Sequence, residues 1–140
     1  MPVVGAVPIG PGGEPYVPFD QLPTSSKYIL QNRTVDVATG MVNLELPPGY
    51  TMVQAPSGDG VLLVPPGWQA GDNRNIVRIQ PAGTGSSNAW GYTNGYYIVT
   101  NQAGAPISIY NGAQLGRTAP GVHNPLGPVV PPGFSKPGGT

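Results

Sequence analysis

The chain has 140 residues, with 22 glycines, 19 prolines, no cysteine, and six basic against six acidic residues. This length suffices for one domain with a hydrophobic core, and the lack of cysteine excludes disulfides and thiolate metal sites. The scattered, balanced charge argues against a nucleic-acid partner, which needs a positive patch. No stretch approaches the roughly 18 apolar residues of a membrane helix, and the first residues lack a signal-peptide pattern. We therefore expect neither a nucleic-acid nor a membrane partner.

Both ends of the sequence are rich in proline. Residues 1–26 and 118–140 each contain six prolines, at intervals too short for a helix or a central strand. We predict an extended arm at 1–26, a folded domain at 27–117 and a second extended arm at 118–140. Because only 9% of the residues are charged and 39% are hydrophobic, the chain lacks the composition of a disordered protein.

Short strands are predicted throughout the middle of the chain, at 28–31, 34–37, 41–46, 50–53, 61–64, 75–80, 96–100, 106–110 and 113–117. In a strand, Val42, Leu44 and Leu46 would lie on one face and the residues between them on the other. This alternation is typical of a half-buried strand. The continuous apolar run at 61–64 indicates a strand buried on both faces. Helix is expected to be nearly absent.

One phrase, Pro-Pro-Gly followed by an aromatic residue, occurs at 47–50, 65–68 and 131–134. The prolines end a strand ladder, and the glycine supplies the positive φ of a turn. Asn111-Gly112 predicts a two-residue hairpin loop. Seven to nine strands separated by such turns predict an all-β sandwich, and a jelly roll is the favoured version.

No set of residues suggests catalysis. The single histidine, His123, lies in the predicted C-terminal arm without evident partners, and Asp59 and Asp72 are read as turn-forming residues. The glycine-rich stretches lack the lysine of a phosphate-binding loop. We predict a protein that is not an enzyme and has no metal, no cofactor and no small-molecule substrate.

Aromatic residues near turns are the best remaining functional signal. Trp68, Trp90 and Tyr92 could form a platform for sugar stacking, which would make the protein a carbohydrate- or receptor-binding module. The same residues could instead anchor a protein interface or plug the ends of the sandwich.

The arms favour a structural role. Ordering a free arm costs conformational entropy on the order of 1 kcal/mol per residue. Arms of this length need to bury apolar side chains to offset that cost, and neighbouring chains offer the apolar surface for it. The predicted interface residues are Val3, Val4, Val7, Ile9, Tyr16 and Phe19 at the N-terminal end and Val129, Val130 and Phe134 at the C-terminal end.

Two stretches carry a resemblance to known proteins. Residues 41–53, with Leu46-Pro47-Pro48-Gly49-Tyr50 at their centre, and the stretch 97–112 resemble the β-domains of tailed-bacteriophage head decoration proteins, and the same pattern occurs in tail-fibre modules. The whole chain is similar to jelly-roll cement proteins of that group in length and in its proline- and glycine-rich ends. The resemblance implies a homodimer on the outer surface of an icosahedral virion, where it ties major capsid protein subunits together.

Overall fold

Short antiparallel strands make up most of the regular structure. The computed structural model describes residues 10, 12–36, 42–56, 60–81 and 95–126. Its strands are β1 (Thr34–Val35), β2 (Val42–Asn43), β3 (Thr51–Gln54), β4 (Val61–Val64), β5 (Val77–Pro81), β6 (Gly95–Val99) and β7 (Asn124–Pro125). One short helix, α1 (Lys27–Leu30), and the 3-10 turns Phe19–Gln21 and Thr24–Ser26 are the helical elements of this part of the chain.

The strands form two antiparallel sheets, β1-β2 and β3-β4-β5-β6-β7. Together with the very small helical content, this confirms the predicted all-β class and fits a β-sandwich. Every ladder between the described strands joins neighbours in the sequence. A jelly roll also needs ladders between strands that are distant in sequence, so that part of the prediction is not confirmed.

Apolar side chains lie on both faces of the five-stranded sheet. Alternate residues along each strand point to opposite faces, and in β4 Leu63 joins the main core while Leu62 joins a second cluster. The prediction that β4 is buried on both faces is therefore confirmed. The main core contains Leu22, Ile29, Leu30, Val42, Leu44, Leu46, Leu63, Val77, Ile79, Tyr97, Val99, Ile107, Ile109 and Leu126. The second cluster contains Ala55, Leu62, Val64 and Ile76, with Val53 and Trp68 packed against it.

The first two Pro-Pro-Gly phrases are turns, as predicted. Gly49 has φ +91° and Gly67 has φ +79°. Each turn ends one segment of the chain and begins the next. The third phrase, at 131–134, lies outside the described residues. The alternation of Val42, Leu44 and Leu46 is also confirmed, because all three are buried while Asn43 and Glu45 between them are exposed.

The predicted strand at 28–31 is wrong, because residues 28–30 belong to α1 and Gln31 is the residue that caps its C-terminal end. Both Ile29 and Leu30 are fully buried in the main core. Two consecutive residues of a strand would point to opposite faces, whereas in a helix they lie about 100° apart and can share one apolar face. The turn Thr24–Ser26, which follows Pro23, leads the chain directly into this helix.

The predicted strands at 106–110 and 113–117 are reduced to two isolated bridges, Thr100 with Pro106 and Ile107 with Gln114. The turn at Asn111-Gly112 is present, with φ +73° at Gly112. Its loop is longer than the predicted two residues, since the Ser108 N–H donates to the Ala113 carbonyl and encloses four residues. The turn therefore takes up residues 109–110, which were predicted as strand.

Residues 12–26, predicted as part of an extended arm, pack on the domain. Leu22 is buried in the main core, and the Val17 N–H donates to the Tyr110 carbonyl at 3.1 Å. The Arg33 guanidinium donates to the Val17 carbonyl and lies over the Tyr16 ring, 4.1 Å from its centroid. The described part of this predicted arm is thus held by hydrogen bonds and core packing.

Residues 118–126, predicted as part of the C-terminal arm, also pack on the domain. Asn124 and Pro125 form β7, the edge strand beside β6, and Val122 and Leu126 are buried. Proline lacks an N–H and is tolerated at a sheet edge, which explains how a proline-rich segment can join the sheet.

Candidate functional site

A cleft opens beside the Pro-Pro-Gly turn at 65–68. Its volume is about 430 Å³, within the range of small-ligand sites. Aromatic, amide and charged side chains share its lining, which consists of Tyr28, Pro65, Pro66, Gly67, Trp68, Asp72, Arg74, Asn75 and Gln102. We call it the Trp68 cleft.

Trp68 is held in place from two sides. Its ring packs against the second apolar cluster, and its indole N–H donates to the Asp72 carbonyl at 2.7 Å. The loop from 68 to 72 thereby fixes the indole at the edge of the cleft, half-buried. A tryptophan whose N–H is already satisfied offers its ring mainly as an apolar surface.

Tyr28 lies on the other side of the cleft and is 40% exposed. Its ring stacks on Tyr50, with the ring centroids 6.5 Å apart. The Tyr50 hydroxyl donates to the Asn75 carbonyl at 2.6 Å, and burial raises the pKa of this phenol well above its usual range. Tyr50 therefore acts as a neutral support that links Tyr28 to the wall of the cleft.

Asn75 has an unusual conformation. Its φ is +54°, in the left-handed region that asparagine tolerates better than most residues. Its side-chain oxygen is buried and has no hydrogen-bond partner within the described part of the chain. A buried acceptor without a partner costs about 1–3 kcal/mol, so a donor from a ligand or water in the cleft would be favoured there.

Asp72 and Arg74 form an ion pair at the rim of the cleft. Both side-chain contacts between the guanidinium and the carboxylate are 3.0 Å long, and the Arg74 N–H also donates to Asp72. These hydrogen bonds lower the pKa of the Asp72 carboxyl. Asp72 is thus held ionised by its neighbour, and it also forms the turn that was predicted for it.

These groups suit binding better than catalysis. An aromatic face beside amide and charged groups is the combination that recognises a sugar, through apolar contact with its ring and hydrogen bonds to its hydroxyls. Among the residues that line the cleft, Asp72 is the single carboxylate, and it is committed to Arg74. The described part of the lining thus contains no second carboxylate for paired acid–base chemistry.

Three large apolar side chains remain exposed on the described surface. Phe19, Tyr28 and Met52 are 47%, 40% and 45% exposed and are the large hydrophobic residues that the described surface leaves most open. Lys27 places its ammonium 5.5 Å from the Phe19 ring centroid and precedes Tyr28. Met52 pairs with Leu63 in the ladder and so lies on the main-core face of β3. We call these three residues the exposed band.

Three of the predicted site residues lie in the described part of the chain. Phe19 is in the exposed band and Trp68 lines the first cleft. Tyr16 is half-buried against the main core, and its hydroxyl donates to the Arg33 carbonyl at 3.3 Å, so much of its surface is used within the domain. The other predicted residues lie outside the described residues: Val3, Val4, Val7, Ile9, Trp90, Tyr92, Val129, Val130 and Phe134.

Sequence reasoning missed a second cleft, which contains Arg78, Arg117 and His123. The basic residues look scattered along the chain, and no local pattern connects positions 78 and 117. Only the pairing of β5 with β6, and the return of the chain through 117–123, brings them together.

Within the described residues, no three histidine, aspartate or glutamate side chains are grouped closely enough to hold a metal ion. No helix in this part of the structure is long and apolar enough to cross a membrane. Comparison of the chain with protein-family models, with curated proteins and with solved structures finds no match.

Proposed function

We propose that this protein is a structural cement or decoration protein of a viral head, binding the outside of the capsid and bridging major capsid protein subunits. The observation that carries the proposal is the exposed band of Phe19, Tyr28 and Met52 on a folded, charge-poor domain. Large apolar side chains left open in this way mark surfaces that become covered by another protein.

The energetics suit a cement protein. Full burial of one such side chain contributes about 1.5–3 kcal/mol, so a band of three provides a modest contact per copy. Many copies on one shell multiply that contact, which is how a small domain can stabilise a large assembly. Pairing of two copies about a two-fold axis is the expected self-contact, with the protein at the outer surface of the virion.

The sequence beyond the described core adds support. Residues 1–9 and 127–140 contain apolar residues and prolines, with Lys136 as their single charged residue. The apolar side chains of such segments interact unfavourably with water, and burial on a partner would remove them from it. The predicted interface residues in them remain part of the proposal.

The decisive experiment is co-expression with the major capsid protein of the same virus, followed by sedimentation of the assembled shells. We expect the chain to sediment with the shells and to raise their melting temperature. The double variant Phe19→Ser/Met52→Ser should reduce occupancy at least about tenfold, because two apolar contacts are lost. Arg78→Ser/Arg117→Ser, which changes two exposed residues outside the exposed band, is the matched control and should keep full occupancy. Absence of the wild-type chain from the shells, or full occupancy of the double variant, would overturn the proposal.

A second candidate function, binding of carbohydrate, is favoured by the Trp68 cleft. Its aromatic wall, the unpartnered oxygen of Asn75 and the nearby Gln102 fit a sugar ring with its hydroxyls. A Trp90→Phe background leaves Trp68 as the single indole, so its fluorescence reports binding to oligosaccharides on titration. Saturable quenching that is lost in Gln102→Ala would support this function, and an unchanged spectrum across a broad glycan panel would eliminate it.

A further inference from the structure

The second cleft lies on the face of the five-stranded sheet that points away from the main core. Arg78 is placed there because it lies between Val77 and Ile79, which both face the core. Its ladder partner Ile98 points to the same side. The cleft measures about 380 Å³ and is lined by Asn73, Ile76, Arg78, Ile98, Thr100, Gly104, Pro106, Arg117, Val122 and His123.

The charges in this cleft are all of one sign. Arg78 and Arg117 are both exposed, and neither guanidinium group forms a hydrogen bond or an ion pair with any residue that the structure describes. No aspartate or glutamate is among the lining residues. Two guanidinium groups beside one cleft without a carboxylate produce a positive potential in a chain whose net charge is zero.

Part of the lining of this cleft is apolar and fixed. Ile98, Pro106 and Val122 supply hydrocarbon surface. The Thr100 hydroxyl donates to the Asn73 carbonyl at 2.6 Å and accepts a hydrogen bond from the Ile76 N–H at 3.0 Å, which ties β6 to the loop before β5. Such a wall is formed before any ligand arrives, so binding does not require ordering it.

His123 closes one side of the cleft. Its ring packs edge-on against Tyr96, with the centroids 4.7 Å apart. This contact orients the imidazole so that it adds a polar edge beside the two guanidinium groups.

We propose that this cleft binds an organic carboxylate, with the carboxylate group held by Arg78 and Arg117 and its hydrocarbon part against Ile98, Pro106 and Val122. A guanidinium group matches the planar geometry of a carboxylate with two parallel hydrogen bonds. The volume exceeds what an inorganic anion fills, and the apolar walls favour a ligand with a carbon body. The inference is independent of the capsid proposal, since it concerns another face of the molecule.

The test is an NMR titration of the isotope-labelled full chain with N-acetylglutamate, with N-acetylglutamine amide, in which both carboxyl groups are replaced by neutral amides, and with inorganic phosphate. N-acetylglutamate should shift the amide signals of Arg78, Ile98, Thr100, Arg117 and His123 in a saturable way. N-acetylglutamine amide has nearly the same shape without any charge and should leave them unshifted.

Variants identify the groups responsible. Arg78→Gln and Arg117→Gln should each weaken the binding of N-acetylglutamate by about tenfold or more, as expected for the loss of a charge-assisted hydrogen bond. Both residues are exposed, so the fold should survive, and the unchanged remainder of the spectrum checks this. Lys27→Gln, on the opposite side of the sheet, removes the same charge and should leave binding unchanged.

Three results would overturn the proposal. The absence of saturable shifts with N-acetylglutamate would show that the cleft binds no carboxylate. Equal shifts with N-acetylglutamine amide would show that the charge is not recognised. Phosphate binding as tight as that of N-acetylglutamate would show a general anion site in which the apolar walls have no part.

Discussion

Gly49 and Pro66 bring two Pro-Pro-Gly turns into contact. A β-carbon on Gly49 would lie 2.7 Å from the Cγ atom of Pro66, closer than real side chains approach. The turn at 47–50 therefore packs directly against the turn at 65–68, which carries Trp68 and one wall of the Trp68 cleft. The repeated phrase ends two segments of chain and also joins their ends to each other.

This contact makes Gly49→Ala strongly destabilising. The substitution imposes a left-handed conformation on alanine, at about 1–2 kcal/mol, and adds overpacking against Pro66 of about 1–3 kcal/mol. Gly67→Ala is the matched control, because Gly67 has a similar φ of +79° but no atom within 4 Å of the added carbon. Urea unfolding should give the larger loss of stability for Gly49→Ala, and equal losses would show that the turns do not press on each other.

Arg33 should hold the N-terminal segment on the domain. It donates to the Val17 carbonyl and lies over the Tyr16 ring, while burial lowers the pKa of its guanidinium. Arg33→Ala removes the hydrogen bond and the cation–π contact, at a combined cost of about 2–3 kcal/mol in unfolding free energy. Hydrogen exchange should accelerate at the Val17 amide, which donates to Tyr110. Unchanged protection of that amide would contradict this role.

Removal of the Ser26 hydroxyl should lower the free energy of unfolding. This buried hydroxyl donates to the Gly112 carbonyl at 2.6 Å, linking the chain before α1 to the turn at Asn111-Gly112. Ser26→Ala leaves that carbonyl without its donor and should cost about 1–3 kcal/mol. Ser25→Ala, one residue earlier, provides the comparison and should cost less than about 0.5 kcal/mol. Thermal unfolding of the two variants checks the difference, and similar melting temperatures would count against it.

His123 should make stability depend on pH. Partial burial lowers its pKa, so near and below its usual value of 6.5 the folded state binds fewer protons than the unfolded state. This contribution to stability is complete above that value and is lost as the pH falls below it. His123→Phe keeps a ring against Tyr96 and cannot titrate. Between about pH 7 and about pH 5, the wild-type chain should lose more stability than the variant, and parallel curves would exclude His123 as the cause.

Local patterns predicted much of the fold. The four apolar residues of β4 indicate a strand buried on both faces, because successive side chains of a strand point to opposite faces and here all of them are apolar. The phrases at 47–50 and 65–68 predict turns because proline and glycine restrict the backbone regardless of context. In these places local chemistry and tertiary structure demand the same conformation.

Other parts depend on contacts between residues that are far apart in sequence. Ile29 and Leu30 fit a strand by propensity, but both are buried when the segment forms a helix against the main core. Leu22 and Leu126 lie in proline-rich segments that suggest free arms, yet core packing holds them. The candidate sites share this property. Trp68 was predicted as a binding residue, but its neighbours across the cleft, and the second cleft as a whole, follow from topology.

The chain-order pairing of the five-stranded sheet has a kinetic consequence. Strands β3 to β7 pair only with their neighbours in sequence, so the ladders close comparatively short loops. The main core, in contrast, joins Leu22 and Leu30 to Ile107 and Leu126, across most of the chain. Because long loops close more slowly, we expect β3 to β6 to assemble first and the two proline-rich flanks, including β7, to dock last. A partner that binds those flanks would then bind the segments that fold last.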